Sequence, residues 1–466
     1  MDSFASENAT LTARKPPHLK RLLTVKDLVF FGIVLIQPIA PVGIFGLSGK
    51  MSNGHVSATI VIAMVAMMLT AFSYGRMAAL YPSAGSAYTY VSRGLGSHWG
   101  FLAGWAMCLD YLVIPLINTV YCSLTLERMV PAIPYSVWAV LFVTIITVFN
   151  LGGIRATARV NIGLLAVMTV VIVAFVGLAI RYLVHGAGWS HVLSYKPFYN
   201  PETFDLKAVG TATSLAALTY IGFDGVTTLA EEVRNPKRNV LLAVVLVCFI
   251  TGIFSTVEVY LAQLVWPDYT TFTNLETAFL DVTELVGGTW LFQAMGVILI
   301  LACLGSGLAG QVGAARLLYG MGRENVLPRR LFGHLSPKTS IPNYNMIVIG
   351  VLTLAAIPMI DYELAATLLN FGAFLAFMGV NLATIREYYF RRREGTPRIV
   401  ADLLVPGLGF LFCLVIWLSL PTPAKVAGGV WLLIGLLYDA IKSRGFRVMP
   451  LVIDFNDPGP AEDHSE

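Results

Sequence analysis

Apolar residues gather along this chain in runs of about 20, the length of a helix that crosses a lipid bilayer. Twelve such runs can be read, at roughly 27–48, 58–80, 99–126, 136–152, 160–183, 208–230, 240–265, 287–318, 343–360, 363–385, 403–420 and 424–441. The fourth and the eleventh are short. The longest gap, about 184–207, is too small for an independent domain, and so are both tails. The pattern predicts an all-α membrane protein: a tail at 1–26, one transmembrane domain at 27–441, and a second tail at 442–466. The first 24 residues are polar and basic, so no cleavable signal peptide is expected and the first helix itself starts insertion.

Composition removes the competing classes. Of 466 residues, 56% are hydrophobic and 12% charged, against about 25% charged in an ordinary soluble domain. Too little polar surface is available for a soluble enzyme, a nucleic-acid binder or a disordered chain. The five cysteines, Cys108, Cys122, Cys248, Cys303 and Cys413, all fall in apolar runs. Their odd number and wide spacing give neither a disulfide framework nor a metal pattern, and they read as small packing residues.

Positive charge matters by location. With the N-terminus in the cytoplasm, one side collects Arg14, Lys15, Lys20, Arg21 and Lys26, then Arg76, Arg93, Arg155 and Arg159, then Arg234, Lys237 and Arg238. It also takes Arg316, Arg323, Arg329, Arg330 and Lys338, then Arg386, Arg391, Arg392, Arg393 and Arg398, and lastly Lys442, Arg444 and Arg447. That makes 25 of 31 basic residues; the other side holds Lys50, Arg128, Arg181, Lys196, Lys207 and Lys425. The asymmetry predicts cytoplasmic termini. The basic runs serve as topology signals, with a lipid site as the alternative.

Two runs are interrupted. The first contains Gln37-Pro38-Ile39-Ala40-Pro41-Val42-Gly43, which cannot be continuous helix because Pro41 lacks an N–H and clashes with the preceding turn. The sixth contains Ile221-Gly222-Phe223-Asp224-Gly225. Unpaired backbone groups are costly in lipid, so breaks at mid-membrane should line a protein-walled cavity. Breaks opening two successive sets of five helices are the pattern of inverted repeats with a substrate site between them. Kinks tolerated for packing are the other reading.

Three carboxylates sit well inside runs: Asp110, Asp224 and Glu258. Each costs on the order of 2.5–3.5 kcal/mol at a helix centre, and no lysine or arginine lies at comparable depth to offset them. Such acids either carry a proton or meet a cation that arrives and leaves. Asp110 lies a third of the way along the third run, with Asn118 two turns on; bonding to local backbone is its plainer role. Asp224 sits in the break itself. Glu258 lies roughly two turns from Trp266 and could reach a wet vestibule instead. Tyr220 and Phe223 flank the sixth-run break and could cover an alkyl chain or an ammonium group.

Three blocks carry a family resemblance. They are Tyr220 to Glu232 followed by Asn235-Pro236-Lys237-Arg238-Asn239, Tyr81-Pro82-Ser83-Ala84-Gly85-Ser86-Ala87-Tyr88-Thr89-Tyr90, and Arg316 to Pro328 around Tyr319-Gly320-Met321-Gly322-Arg323. In this order they resemble the amino acid–polyamine–organocation superfamily, and the similarity runs through nearly the whole chain. Leu109-Asp110-Tyr111-Leu112, Pro115-Leu116-Ile117-Asn118 and Asn370-Phe371-Gly372-Ala373 look most like the bacterial putrescine importers.

The resemblance implies a leucine-transporter fold: repeats at about 27–183 and 208–385, with extra helices at about 403–441, working by alternating access. It implies a substrate site formed by Ile39, Ala40, Val42, Gly43, Asp110, Tyr111, Tyr220, Ile221, Gly222, Phe223 and Asp224. Asp224, Asp110, Glu258 and Ser306 become candidates for coupling or gating.

Two departures from the pattern matter. Amino acid permeases of the superfamily usually carry Gly-Ser-Gly at the first break, whose bare N–H groups hold a carboxylate; Pro41-Val42-Gly43 here suits a substrate without one. Several proton-coupled relatives place a lysine in the fifth span where Met168 falls here, which leaves the carboxylates to couple. Ser306, in Gly305-Ser306-Gly307, falls where relatives place a cation ligand and keeps sodium open beside the proton.

The expected function is a secondary transporter in the plasma (inner) membrane that imports a polyamine or related organic cation, with an amino acid permease or exchanger as the alternative. No cofactor or metal is expected, nor any nucleic acid; the partners are a small organic amine or amino acid and membrane lipid. A membrane enzyme lacks a polar catalytic set at depth, since no histidine falls in any run. The paired breaks argue against a channel, while a transport-dead receptor of the same fold would look alike. Nothing in the sequence reports oligomeric state.

Overall fold

The computed structural model describes residues 22–82, 86–152, 158–323, 327–336, 341–392 and 396–447, with the side chains of 158–162, Ala187, His191 and Glu231 left out. Most of both tails lies outside that range. So do Arg14, Lys15, Lys20, Arg21, Arg155, Lys338 and Arg393, the side chain of Arg159, and motif segments 83–85 and 324–326.

The described residues are almost entirely helical. The first run divides into α1 (Val25–Ile36), a 3-10 turn (Ala40–Ile44) and α2 (Phe45–Met51). Then come α3 (Val56–Leu80), α4 (Ser86–Leu95), α5 (Ser97–Met129), α6 (Tyr135–Leu151), α7 (Ala158–Ala187) and the short α8 (Trp189–Val192). The sixth run is helical only as α9 (Leu206–Ala216) and continues as 3-10 segments at Ala217–Tyr220 and Phe223–Glu232. There follow α10 (Pro236–Val265), α11 (Ala278–Arg323), the short α12 (Arg329–Phe332), α13 (Asn343–Ala356), α14 (Tyr362–Thr384), α15 (Val405–Leu418) and α16 (Thr422–Lys442). Among the described residues nine helical stretches are long and apolar enough to cross a membrane, and α6 and α13 are shorter apolar helices.

Three features add to the pattern of apolar runs. Helix α4 is amphipathic rather than apolar: it buries Ala87, Tyr90, Val91 and Gly94, one face at helical spacing, against α5 and α14. Helix α11 breaks at Gly288, whose φ of 70° is non-helical. Its first part carries Asp281 and Glu284 and so escapes a search for apolar runs. Finally, α14 ends in a π-helical turn (Ile385–Phe390) and α15 begins with another (Ile399–Leu404).

Those two π-helical turns gather charge. Arg76 of α3 pairs with Asp402 while its guanidinium lies 3.5 Å from the centroid of the Tyr388 ring. Arg391 reaches Glu387 at 2.5 Å, and Tyr81 donates to the same carboxylate at 3.0 Å. A carboxylate removed from water needs such a partner, because an uncompensated buried charge is strongly destabilising.

The centre is apolar and aromatic. Around the sixth-run break, Phe223 packs on Tyr74 and Phe377 with ring centroids 5.3 and 5.2 Å away. On the far side of the molecule from the start of α1, Phe45, Phe272, Phe279 and Phe175 join through contacts of 5.5, 5.6 and 4.8 Å. Tilted and edge-on pairs of this kind suit the ring quadrupole.

Candidate functional site: a cavity between two broken helices

Proline sets the first break. The residue before a proline disfavours the α region, and Gln37, preceding Pro38, leaves the helix with φ 66°. Its N–H still donates to the Ile33 carbonyl at 2.9 Å, and its carbonyl accepts from the Ala40 N–H at 3.0 Å as the 3-10 turn starts. The second break turns at Gly222, whose φ of 112° lies where a side chain would be strained. Chain direction recovers when the Gly225 N–H donates to the Gly222 carbonyl at 3.1 Å. The breaks face each other: a Cβ placed on Gly225 would fall 2.8 Å from Leu35 of α1.

Between them lies a cavity of about 400 Å³, within the range of small-molecule sites. Ile39, Ala40 and Gln37 line it from the first break, and Ile221, Gly222 and Asp224 from the second. Helix α5 contributes Asp110, Tyr111, Ile114, Ile117, Asn118 and Tyr121, a single face read at intervals of three and four. Met168, Leu299, Ala302, Cys303, Ser306, Tyr362 and Leu369 complete much of the wall. The lining continues through Val34, Leu35, Met107 and Gly310, so the cavity extends toward the side where α1 begins.

Its opposite end is closed by two tyrosines. Tyr121 and Tyr362 lie 5.0 Å apart with planes inclined at 30°. Gly43 admits them, since a Cβ there would sit 2.6 Å from the Tyr362 oxygen and 2.9 Å from the Tyr121 ring. The Phe45 cluster lies beyond.

Charge in this cavity has one sign. Among the described residues, Asp110 and Asp224 are the only carboxylates on the wall, and no lysine, arginine or histidine lines it. They are 5% and 9% exposed. Oδ1 of Asp110 is buried with no hydrogen-bond partner among the described residues, whereas Asp224 turns toward the backbone amides of its own break. Ser306 is already engaged: its hydroxyl accepts from Nδ2 of Asn118 at 3.0 Å, while the same nitrogen reaches the Ile114 carbonyl at 2.8 Å.

Of the residues expected at a substrate site, the structure brings together Ile39, Ala40, Asp110, Tyr111, Ile221, Gly222 and Asp224, with Ser306 beside them. The others lie outside the lining. Val42 is buried in the 3-10 turn, and Gly43 stands behind the tyrosine pair. Tyr220 donates to the Ile60 carbonyl at 2.9 Å, Phe223 belongs to the Tyr74 and Phe377 cluster, and Glu258 is buried elsewhere on α10. Gln37, Tyr121 and Tyr362 were not expected. The repeat from Asp110 along α5 was a signal for Tyr121; Tyr362 arrives on a distant helix and leaves no local trace.

Comparison with known proteins identifies the family. The sequence profile of the family described as amino acid permease matches residues 23–437. The chain is 33% identical over 434 residues to the low-affinity putrescine importer PlaP of Escherichia coli, covering 92% of this chain and 95% of that protein. It is 27% identical over 469 residues to the branched-chain amino acid permease BcaP of Lactococcus lactis, covering 92% and 96%. It is also 28% identical over 396 residues to a vacuolar cationic amino acid transporter of Arabidopsis thaliana, covering 79% and 64%. These relatives are transporters and not enzymes. The chain belongs to the amino acid permease family and is an integral, multi-pass membrane transporter.

Proposed function

We propose that this protein is a secondary active transporter that imports a putrescine-like polyamine or related organic cation, driven by protons, by alternating access. One observation carries the reading: two buried carboxylates face a single small cavity whose lining, among the described residues, holds no basic side chain. An α-amino acid would bring its own carboxylate toward those acids, and like charges held close are costly. A diamine brings two ammonium groups and an apolar chain, matching Asp110, Asp224 and the Ile39, Ile114, Ile117 and Leu369 surfaces. The Escherichia coli relative, a putrescine importer, carries cargo of this class.

The architecture that goes with this reading has twelve spans. Two inverted five-helix repeats run at about 27–183 and 208–385, and the extra helices lie at about 403–441. Both termini face the cytoplasm of a plasma (inner) membrane protein, as the distribution of basic residues favours. In that orientation the cavity extends inward, and the Tyr121–Tyr362 pair with the Phe45 cluster closes the outer side.

Uptake of labelled putrescine into proteoliposomes with an imposed pH gradient tests the proposal. Accumulation is expected, with competition by unlabelled diamines. Absence of amine uptake by protein that carries a zwitterionic amino acid would overturn it in favour of an amino acid permease. That second reading draws support from the branched-chain and cationic amino acid carriers among the relatives. Thermal stabilisation by arginine or alanine, but not by putrescine, would be its signature.

A further inference from the structure

Glu258 stands apart from the cavity. It lies on α10, 1% exposed, and neither carboxyl oxygen has a hydrogen-bond partner among the described residues. Three further hydroxyls, Ser255 on α10, Ser57 on α3 and Thr219 in the 3-10 turn 217–220, are equally buried and unpartnered. The three elements that carry them pack on one another, α3 against α10 most extensively of any pair.

Gly252, Ser255 and Glu258 succeed each other at helical spacing on the buried face of α10. A Cβ on Gly252 would lie 3.0 Å from the Tyr220 oxygen, so that hydroxyl is held between α10 and the Ile60 carbonyl of α3. Tyr220 directly precedes the Ile221–Gly222 wall of the cavity. The seam containing Glu258 therefore shares a residue with the hinge of the sixth-run break. Toward the other end, Gln263 accepts from the Val56 N–H at 3.2 Å and bonds the Gly54 carbonyl, which closes the seam.

Among the described residues no basic group pairs with Glu258. At the head of α3, His55 is committed to the Ser52 carbonyl and the Asn200 N–H; on α3, Tyr74 belongs to the aromatic cluster, and Arg76 is paired with Asp402 at the far end. On α1, Asp27 caps the first turn; on the broken sixth run, Asp224 faces the cavity and Tyr220 is bonded as above. Arg181, Tyr182 and His185 of α7 are exposed, and on α11 Cys303 faces the cavity while Asp281 pairs with Arg128. On α10 itself, Cys248 is buried three turns away and Tyr260 donates to the Val192 and Ser194 carbonyls.

We propose that Glu258 is the site of the coupled proton, held in the α3–α10 seam and separate from the amine site. The inference rests on the transport reading above. An ionised carboxylate without a partner is costly in this environment, while the neutral acid adds one O–H donor that neighbouring hydroxyls can accept after side-chain rotation. In each cycle the carboxylate takes one proton from the outer side and returns it to the inner side, with no covalent bond to the cargo. The seam opens and closes with the Tyr220 hinge, which ties proton exchange to the conformation of the break.

The test uses the full chain in proteoliposomes with labelled putrescine. One coupled proton allows about tenfold accumulation per unit of imposed pH difference. Glu258→Gln is expected to lose that accumulation while putrescine–putrescine exchange across the membrane stays at the wild-type rate, with its pH dependence flattened. Glu258→Asp should retain driven uptake with a displaced pH profile. Undiminished accumulation by Glu258→Gln would overturn the proposal, as would loss of exchange in a variant that melts like wild type. If Glu258→Gln fails to fold, an unaltered pH profile in Glu258→Asp overturns it instead. A wild-type protein that exchanges amines yet ignores the pH gradient refutes the proton site and spares the amine reading; one that carries no amine refutes both.

Discussion

Among the described residues, buried carboxylates at the ends of the molecule and across its middle follow opposite rules; Asp281, toward the end opposite the start of α1, pairs with Arg128 at 2.7 Å. Near the end of the molecule where α1 begins, Asp402 pairs with Arg76, Glu387 with Arg391, and Asp439 with His98 at 2.9 Å. Across the middle, Asp110, Asp224 and Glu258 have no basic partner among the described residues. The same chain thus supplies counter-charges where acids serve packing and withholds them where acids face the cavity or the α3–α10 seam. Acids of the first kind are answered by protein groups, so that removing one partner would strand the other. Those of the second kind leave room for a positive charge that is not part of the protein.

The widest separation between the regions should come from breaking one member of each. Arg76→Ala leaves Asp402 buried without its counter-charge and is expected to destabilise the protein by about 3–5 kcal/mol. Thermal melting of detergent-solubilised protein reads this, and replacing Arg76 and Asp402 together by apolar residues should restore most of it. Asp110→Asn and Asp224→Asn are expected to do the reverse. Each should weaken amine binding by about 2–5 kcal/mol, as when one partner of a buried charge pair is removed. Their melting temperatures should stay at or above the wild-type value, because neither acid has a basic partner among the described residues to leave stranded. A drop in stability without loss of binding would place these acids in the structural class.

The closed end of the cavity offers a smaller effect. Gly43→Ala drives a methyl group into Tyr362 and Tyr121, an overpacking that costs about 1–3 kcal/mol. That cost falls on the conformation with the tyrosines together, so slower turnover with retained binding is expected. Transport assays beside ligand-induced thermal shift separate the two quantities.

Much of this was legible beforehand, for definite reasons. Apolar runs of about 20 residues announce spans because a helix of that length satisfies its own backbone across lipid, and both breaks were visible as proline and glycine clusters around Pro38, Pro41, Gly222 and Gly225. Acids at depth, Asp110 and Asp224, could be found by counting along the runs. What could not be read is rotation. Tyr220 and Phe223 adjoin the break in sequence, yet 3-10 geometry turns one toward Ile60 and the other toward Tyr74 and Phe377. Tyr362 reaches the cavity on α14, a neighbour only in three dimensions. Helix α4 escaped a search for apolar runs because its sequence is amphipathic, although Ala87, Tyr90, Val91 and Gly94 carry the spacing of a buried face.

Ser306 gives the finest test of the division between acids that hold the fold and acids that await a cation. Its hydroxyl accepts from Asn118 at 3.0 Å, an ordinary hydrogen bond between helices α5 and α11. If that bond is its whole role, Ser306→Ala costs about 0.5–1.5 kcal/mol of stability, and replacing sodium by choline leaves amine uptake unchanged in both proteins. A sodium site there would behave differently: removing one oxygen ligand would abolish uptake while leaving the melting temperature little altered, and wild-type uptake would fall on sodium removal. Uptake measured in sodium and in choline, for wild type and Ser306→Ala, separates these outcomes. Equal uptake in all four conditions leaves the positive charges answered by Asp110, Asp224 and Glu258 as amine and proton alone.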